Sequence, residues 1–141
     1  MRAMTTSRSL DRATAPSAED IARIGEAVLR ELPSPFRELV GSVPVRVQDF
    51  ADDRTLADMG IEDPFELLGL YHGVPIGEQH GRGAPESVDM IFLYRRPLLD
   101  LWCDDGTMTL DHVVQHVLIH EIGHHFGLSD EDMERIEAEA G

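Results

Sequence analysis

Three residues of one short segment, His120, Glu121 and His124, have the types and spacing that can bind a metal ion and activate water. Two histidines four positions apart lie about 6 Å apart along an α-helix and on the same side of it, so both imidazoles can reach one ion. Zinc accepts imidazole nitrogen as a ligand, and a glutamate directly after the first histidine can take a proton from water at the ion. The pattern predicts a zinc site with Glu121 as general base and hydrolysis as its chemistry.

A catalytic zinc site needs three protein ligands and an open position, so the two histidines leave one ligand to be found. Asp130 follows His124 by six residues, and Gly127 between them allows a sharp turn. A carboxylate is an acceptable zinc ligand, so Asp130 is the predicted third ligand beside the two histidines. Glu131 and Glu134 are competing carboxylates, and an Asp130 that only complements a helix N-terminus is the alternative without a metal contact.

These residues must be held by a rigid helix, and the surrounding sequence predicts one. Apolar residues recur at three- and four-residue steps, namely Val113, Val114, Val117, Leu118 and Ile122. Thr109 or Asp111 is a candidate N-cap, and Gly127 supplies the left-handed residue that often follows a helix. The helix is therefore predicted from about Asp111 to Phe126.

A last helix is predicted directly after the motif. Ser129 followed by Asp132 resembles a capping box, which places Asp130 in the first turn of a helix that runs to about Ala140. Met133 lies on the apolar stripe of this helix, and we expect it to pack in the core. The two helices together would carry every predicted metal ligand.

Other polar residues near the motif are assigned to roles outside the metal site. His112 and His116 continue the four-residue ladder, but each step drifts about 40° around the helix axis, so we expect neither to reach the ion held by His120. His125 points about 100° away from its neighbour, and we expect it to support the ligands or to pack in the core. Candidates for stabilising an oxyanion, for which core packing or salt bridges are the favoured roles, are Tyr71, His72, Tyr94, Arg95 and Arg96.

The rest of the chain predicts one small domain behind a tail. Residues 1–16 lack periodicity and are predicted to be disordered, which leaves residues 17–141 as a single domain. Helices are predicted between Ser17 and Pro33, around Phe36 to Val40, near Pro64 to Leu68 and from Leu98 to Cys103. Strands are predicted at Val43 to Phe50, Leu70 to Val74 and Val88 to Tyr94. The segment Gly77 to Pro85 is predicted to be a mobile loop beside the site.

This order of elements indicates an α+β fold in which a small twisted sheet packs against helices and the metal-binding helix lies near the C-terminus. Three segments resemble the bacterial minimal zincin-like metallopeptidase family: Leu68 to Pro75, Ile91 to Pro97, and His120 to Asp130 with its H-E-x-x-H-x-x-G-x-x-D signature. The similarity covers roughly Ile21 to Glu139. It implies a minimal zincin-like domain, bound Zn²⁺ and a hydrolase acting on peptide or protein substrates.

The resemblance also implies how a substrate binds. In zincins an edge strand above the metal helix holds an extended peptide by strand addition, through main-chain hydrogen bonds that demand little of the substrate sequence. The segment Val88 to Tyr94, or its partner Leu70 to Val74, is expected to fill that role.

Composition excludes several other classes of protein. The chain has 141 residues, 42% of them hydrophobic, and a formal net charge of −15 in which all twelve cations are arginine. An acidic surface disfavours nucleic acid as a partner and, if it steers substrates, favours basic or neutral peptides. One cysteine, Cys103, excludes an internal disulfide. With no apolar leader and no long apolar run, the expectation is a cytoplasmic monomer without a membrane partner.

Two other functions remain open at this point. The first is a zinc-binding regulatory or binding protein that keeps the zincin fold without significant peptidase activity, which the small size suggests. The second is a metal-dependent ribonuclease, because one bacterial family that processes ribosomal RNA has similar ligand spacing on a helix. Glu121, Asp130 and the net charge of −15 weigh against that second function.

Overall fold

The computed structural model of the protein describes residues 14–34, 36–40, 42–73 and 89–140. Its elements in chain order are α1 (Ala18–Arg30), α2 (Phe36–Val40), β1 (Val45–Gln48), α3 (Asp53–Met59), a 3-10 helix (Pro64–Glu66), β2 (Gly69–His72), β3 (Met90–Tyr94), α4 (Arg95–Asp105), α5 (Leu110–His125) and α6 (Asp130–Ala140). The predicted α+β class is confirmed. The predicted loop Gly77 to Pro85 and residues 1–13 of the predicted tail lie outside the described residues.

The three strands form one mixed sheet in the order β1-β3-β2. The central strand β3 runs parallel to β1 and antiparallel to β2, with Val45 opposite Ile91 and Tyr71 opposite Ile91 on the other side. Each described strand is shorter than predicted, and the predicted ends at Val74 and Val88 lie outside the described residues. Two strands were expected as candidates for adding a peptide strand, and β3 is excluded because it is paired on both sides. The other candidate, β2, lies at the edge of the described sheet and packs against α5.

One face of the sheet packs against α1 and α5, and this layer contains most of the core. The sheet contributes Tyr71, Ile91 and Leu93, and α1 contributes Ile21 and Leu29. Helix α5 contributes the apolar residues that the sequence pattern identified, together with Leu110 and Ile119. Burial of so much apolar surface fixes α5 as the central helix of the domain.

The opposite face of the sheet carries a smaller cluster of Ala51, Leu56, Leu67 and Tyr94. Leu56 belongs to α3, which the sequence analysis did not predict. Only this residue of the short, acidic helix is buried, so its apolar pattern is weak. Its ends are nevertheless specified locally, because the Asp52 carboxylate accepts a hydrogen bond from the Thr55 backbone N–H at 2.7 Å, and Gly60 adopts the left-handed conformation that ends the helix.

Helix α5 begins and ends close to the predicted positions. The Thr109 hydroxyl accepts a hydrogen bond from the His112 backbone N–H at 3.2 Å, which identifies Thr109 as the N-cap. At the other end Gly127 has a φ of 75°, and the Leu128 backbone N–H donates to the Gly123 carbonyl at 2.8 Å. This left-handed turn reverses the chain into α6, whose start is capped by the Ser129 hydroxyl.

Helices α5 and α6 pack closely where Gly123 meets Met133. Met133 is fully buried, as the sequence predicted. A methyl group at position 123 would lie 2.6 Å from Met133 Cγ and would overlap its sulfur. The absence of a side chain at this position therefore sets the distance between the two helices. Within the described ranges no helix is both long and apolar enough to cross a lipid bilayer.

We predict that Gly123→Ala destabilises the protein by about 1–3 kcal/mol, since the overlap with a buried side chain outweighs the gain of about 1 kcal/mol in helix propensity. Chemical denaturation of the metal-free protein measures this change. In a Met133→Ala background the same substitution should cost much less, because the overlapping atoms are gone. An equal loss in both backgrounds would contradict this account of the contact.

Candidate metal centre

Helix α5 presents a ladder of histidines beside the sheet. The ring centroids of His116 and His120 lie 4.3 Å apart, and those of His120 and His124 lie 6.1 Å apart. The spacing of four residues brings each ring near the next one along the helix, as the sequence predicts for His120 and His124. His124, in the last turn of α5, is exposed, whereas His120 is half-buried.

The carboxylate of Glu137, on α6, contacts two of these histidines. Glu137 Oε1 lies 2.9 Å from His120 Nε2 and 3.0 Å from His116 Nδ1, and its Oε2 lies 3.2 Å from His116 Nδ1. In the described part of the chain these three residues form the one group of His, Cys, Asp or Glu whose ligand atoms all lie within 4.8 Å of one another. Two imidazoles and a carboxylate suit zinc chemically.

The predicted ligand set is not gathered in the same way. Asp130 is exposed in the first turn of α6, where the sequence placed it, and its carboxylate does not form such a group with His120 and His124. The assignment of these three ligands stays a prediction. The sequence analysis set His116 aside and did not consider Glu137, although Glu137 follows the buried Met133 by four residues and therefore shares its side of the helix.

Glu121 follows His120 in the histidine ladder of α5 and is largely withdrawn from solvent. Burial raises the pKa of its carboxyl from 4.5 to about 7, and a hydrogen bond from the Tyr71 backbone N–H opposes this shift. A carboxyl group whose pKa lies near neutral can accept a proton and also return it, which is the property that general acid–base catalysis requires. Burial thus gives Glu121 a suitable proton affinity, and the edge strand orients it.

A cleft of 220 Å³ opens along this side of the molecule. Its walls combine His116, His120 and Glu121 of α5 with residues that precede β2 and one residue of α4, namely Glu66, Leu67, Leu68 and Leu101. The cleft is therefore bounded by the histidines on one side and by the approach to the edge strand on the other. It offers room for a substrate chain next to the predicted base.

The register of β2 shows which of its backbone groups point away from the central strand. The Tyr94 backbone N–H donates to the Leu68 carbonyl at 3.0 Å, so Leu68 and, two residues on, Leu70 bond towards β3. The alternate residues Gly69 and Tyr71 must then direct their N–H and carbonyl groups away from β3. The hydrogen bond from the Tyr71 N–H to Glu121 agrees with this alternation and joins β2 to α5.

The Tyr71 side chain has a structural role. It is buried, its hydroxyl donates to Asp89 at 2.8 Å, and its ring stacks on His125 with centroids 4.0 Å apart. Burial lowers the pKa of His125, while the nearby Asp89 carboxylate opposes that shift. His125 therefore packs against the sheet and does not join the other histidines, in agreement with the sequence analysis.

The remaining oxyanion candidates also have other partners. Tyr94 is buried in the smaller cluster. Arg95 pairs with Asp49 at 3.2 Å and donates to the Pro16 carbonyl at 2.7 Å, whereas the Arg96 guanidinium lies 5.7 Å from the centre of the Phe50 ring. His72 is exposed and lines a separate pocket on the opposite face of the sheet. Core packing and ion pairing, the favoured sequence interpretations, account for the tyrosines and for Arg95.

Comparison with known protein families shows the family of the chain. Residues 40–140 match the model of the zincin-like metallopeptidases, so that the chain belongs to that family. The matched region includes all three strands of the described sheet and every described helix from α3 onwards. Zincins are metal-dependent, typically with zinc, and the histidines and carboxylates described above fit that requirement. No curated protein matches the chain.

The raised pKa of Glu121 predicts a pH-dependent stability of the chelator-treated protein. The folded state keeps a proton that the unfolded chain releases between pH 4.5 and about 7, so ionisation of Glu121 lowers stability as pH rises through that window. The variant Glu121→Gln cannot ionise, and its stability relative to wild type should rise by about 1–3 kcal/mol between pH 5 and pH 8. Urea unfolding at both pH values measures this, and a difference that is independent of pH would contradict it.

Proposed function

We propose that the protein is a zinc-dependent metallopeptidase in which Glu121 acts as general base. The observation that carries this proposal is the position of Glu121: it follows His120, lines an open cleft, and burial raises its pKa to about 7. A structural glutamate on a helix surface would not need this burial, which costs stability once the carboxyl ionises. Membership of the zincin-like metallopeptidases supports the same chemistry.

The proposed zinc ligands are His120, His124 and Asp130. Bound zinc supplies Lewis acidity, which polarises the peptide carbonyl and acidifies water. Glu121 takes the proton of the attacking water and later donates it to the leaving amine, so that the carboxyl ends each cycle in its starting state. A hydrogen bond from the Tyr71 backbone N–H favours the ionised form of Glu121 and so supports its role as the base.

The proposed substrate is an extended peptide or protein segment that pairs with the free edge of β2. The backbone groups of Gly69 and the carbonyl of Tyr71 point away from β3, and groups of this kind bind a peptide main chain by strand addition. Glu66 in the wall of the cleft and the net charge of −15 favour basic or neutral substrates. The same charge supports a peptide substrate in preference to a nucleic acid.

We predict that Glu121→Gln lowers kcat/KM for peptide cleavage by about 10²–10⁴-fold and leaves the zinc content unchanged, since the amide cannot accept a proton but keeps the shape of the side chain. His120→Ala should lose both zinc and activity. Cleavage of a mixed peptide library, followed by mass spectrometry, measures turnover, and elemental analysis measures zinc.

A matched control is Glu139→Gln, which makes the same change at an exposed site on α6 and should behave as wild type. Cleavage should stop on chelation and return with added zinc. Wild-type turnover by Glu121→Gln would refute the assignment of the base. Stoichiometric zinc without any cleavage would refute the peptidase function and favour a zinc-binding regulatory protein.

A further inference from the structure

One cluster on α5 and α6 is not predicted by the sequence motif: His116 and His120 both contact Glu137. Two imidazole nitrogens face one carboxylate at 2.9–3.2 Å. If hydrogen bonds alone hold the cluster, each histidine nitrogen that faces the carboxylate must carry a proton. His116 is then the Nδ1–H tautomer and His120 the Nε2–H tautomer, or the rings are imidazolium ions. One divalent cation would instead bind the lone pairs of all three groups.

The distances fit a metal ion after a small adjustment. In a tetrahedral site with zinc about 2.0–2.1 Å from each donor, neighbouring donor atoms lie roughly 3.3 Å apart. The closest contacts of Glu137 with the two histidines are 2.9 Å and 3.0 Å. A shift of a few tenths of an ångström in the flexible glutamate side chain would bring both contacts to that spacing, and the two histidine nitrogens lie within 4.8 Å of each other.

The surroundings allow a cation to reach this cluster and remain there. The side chains of His120 and Glu137 are each 29% exposed and that of His116 is 45% exposed, so the ligands are sheltered but accessible. His116 and His120 also line the open cleft, which leaves space for water as a fourth ligand. The two helices that carry the ligands are fixed by the close packing of Gly123 and Met133, so little conformational entropy is lost when an ion binds.

We propose that His116, His120 and Glu137 form a second binding site for a divalent cation, and zinc is the ion that we expect it to bind. The site goes beyond the proposed peptidase function, with which it shares His120. Because His120 Nε2 can donate to one ion at a time, this site and the set of His120, His124 and Asp130 exclude each other. The chain thus carries two alternative ligand sets around one shared histidine.

The test removes the ligands that the two sites do not share. In the double variant His124→Ala, Asp130→Ala the predicted catalytic set is lost, whereas His116, His120 and Glu137 are intact. This variant should still bind one zinc ion per chain, measured by competition with a chromophoric chelator. Bound Co²⁺ should show the absorption bands of a site with nitrogen and oxygen ligands.

Adding Glu137→Gln or His116→Ala to the double variant should weaken zinc binding at least 10-fold, because each removes one ligand. Glu139→Gln in the same background should change the affinity less than twofold. Circular dichroism of the metal-free proteins controls for folding, and the two ligand variants test the site independently. Their effects on affinity are measured without any substrate, so the absence of peptidase activity would leave this result interpretable.

Two results would overturn the proposal. If the double variant binds no zinc, the cluster is a hydrogen-bonded contact between α5 and α6. If it binds zinc but neither Glu137→Gln nor His116→Ala weakens the binding, the ion lies elsewhere.

Discussion

The burial of α5 between the sheet and α6 is the constraint on which the rest of the structure depends. Its apolar side forms most of the core with α1 and the sheet, and its glycine at position 123 lets Met133 of α6 approach closely. The left-handed turn at Gly127 then returns the chain along α5. Because both helices are fixed in this way, Glu137 lies over His116 and His120, although it is separated from them by 21 and 17 residues.

The same burial creates the chemistry of the site. A carboxyl group on an exposed helix face would be ionised at neutral pH and strongly hydrated. At Glu121 burial raises the pKa to about 7, and a hydrogen bond from the Tyr71 backbone N–H opposes this shift.

The sheet is small, but its strand order decides how it can be used. With β3 in the centre, β2 is the strand at the edge of the described sheet that lies beside α5. The antiparallel register directs the groups of Gly69 and Tyr71 to that side, and one of them already orients the predicted base. Substrate binding and orientation of the base therefore depend on the same short strand.

The sequence by itself determined the local features of this protein. The apolar periodicity and caps predicted α5 and α6 within one or two residues, because these signals lie within a few residues of the helices they specify. The motif predicted a site that includes His120, Glu121 and His124. Three segments of the sequence indicated the family. Helix α3 was not predicted, since a single buried residue leaves almost no apolar periodicity.

Only the tertiary structure decided which residues meet. The sequence could not distinguish β2 from β3 as the edge strand, because strand order depends on pairing between distant segments. It also gave no reason to expect a contact between His116 and Glu137. The angular drift along the helix places His116 away from the predicted ion, and no local pattern indicates Glu137. Their contact and the raised pKa of Glu121 arise from the packing of elements that are remote in sequence, and burial and proximity of that kind exist only once the chain has folded.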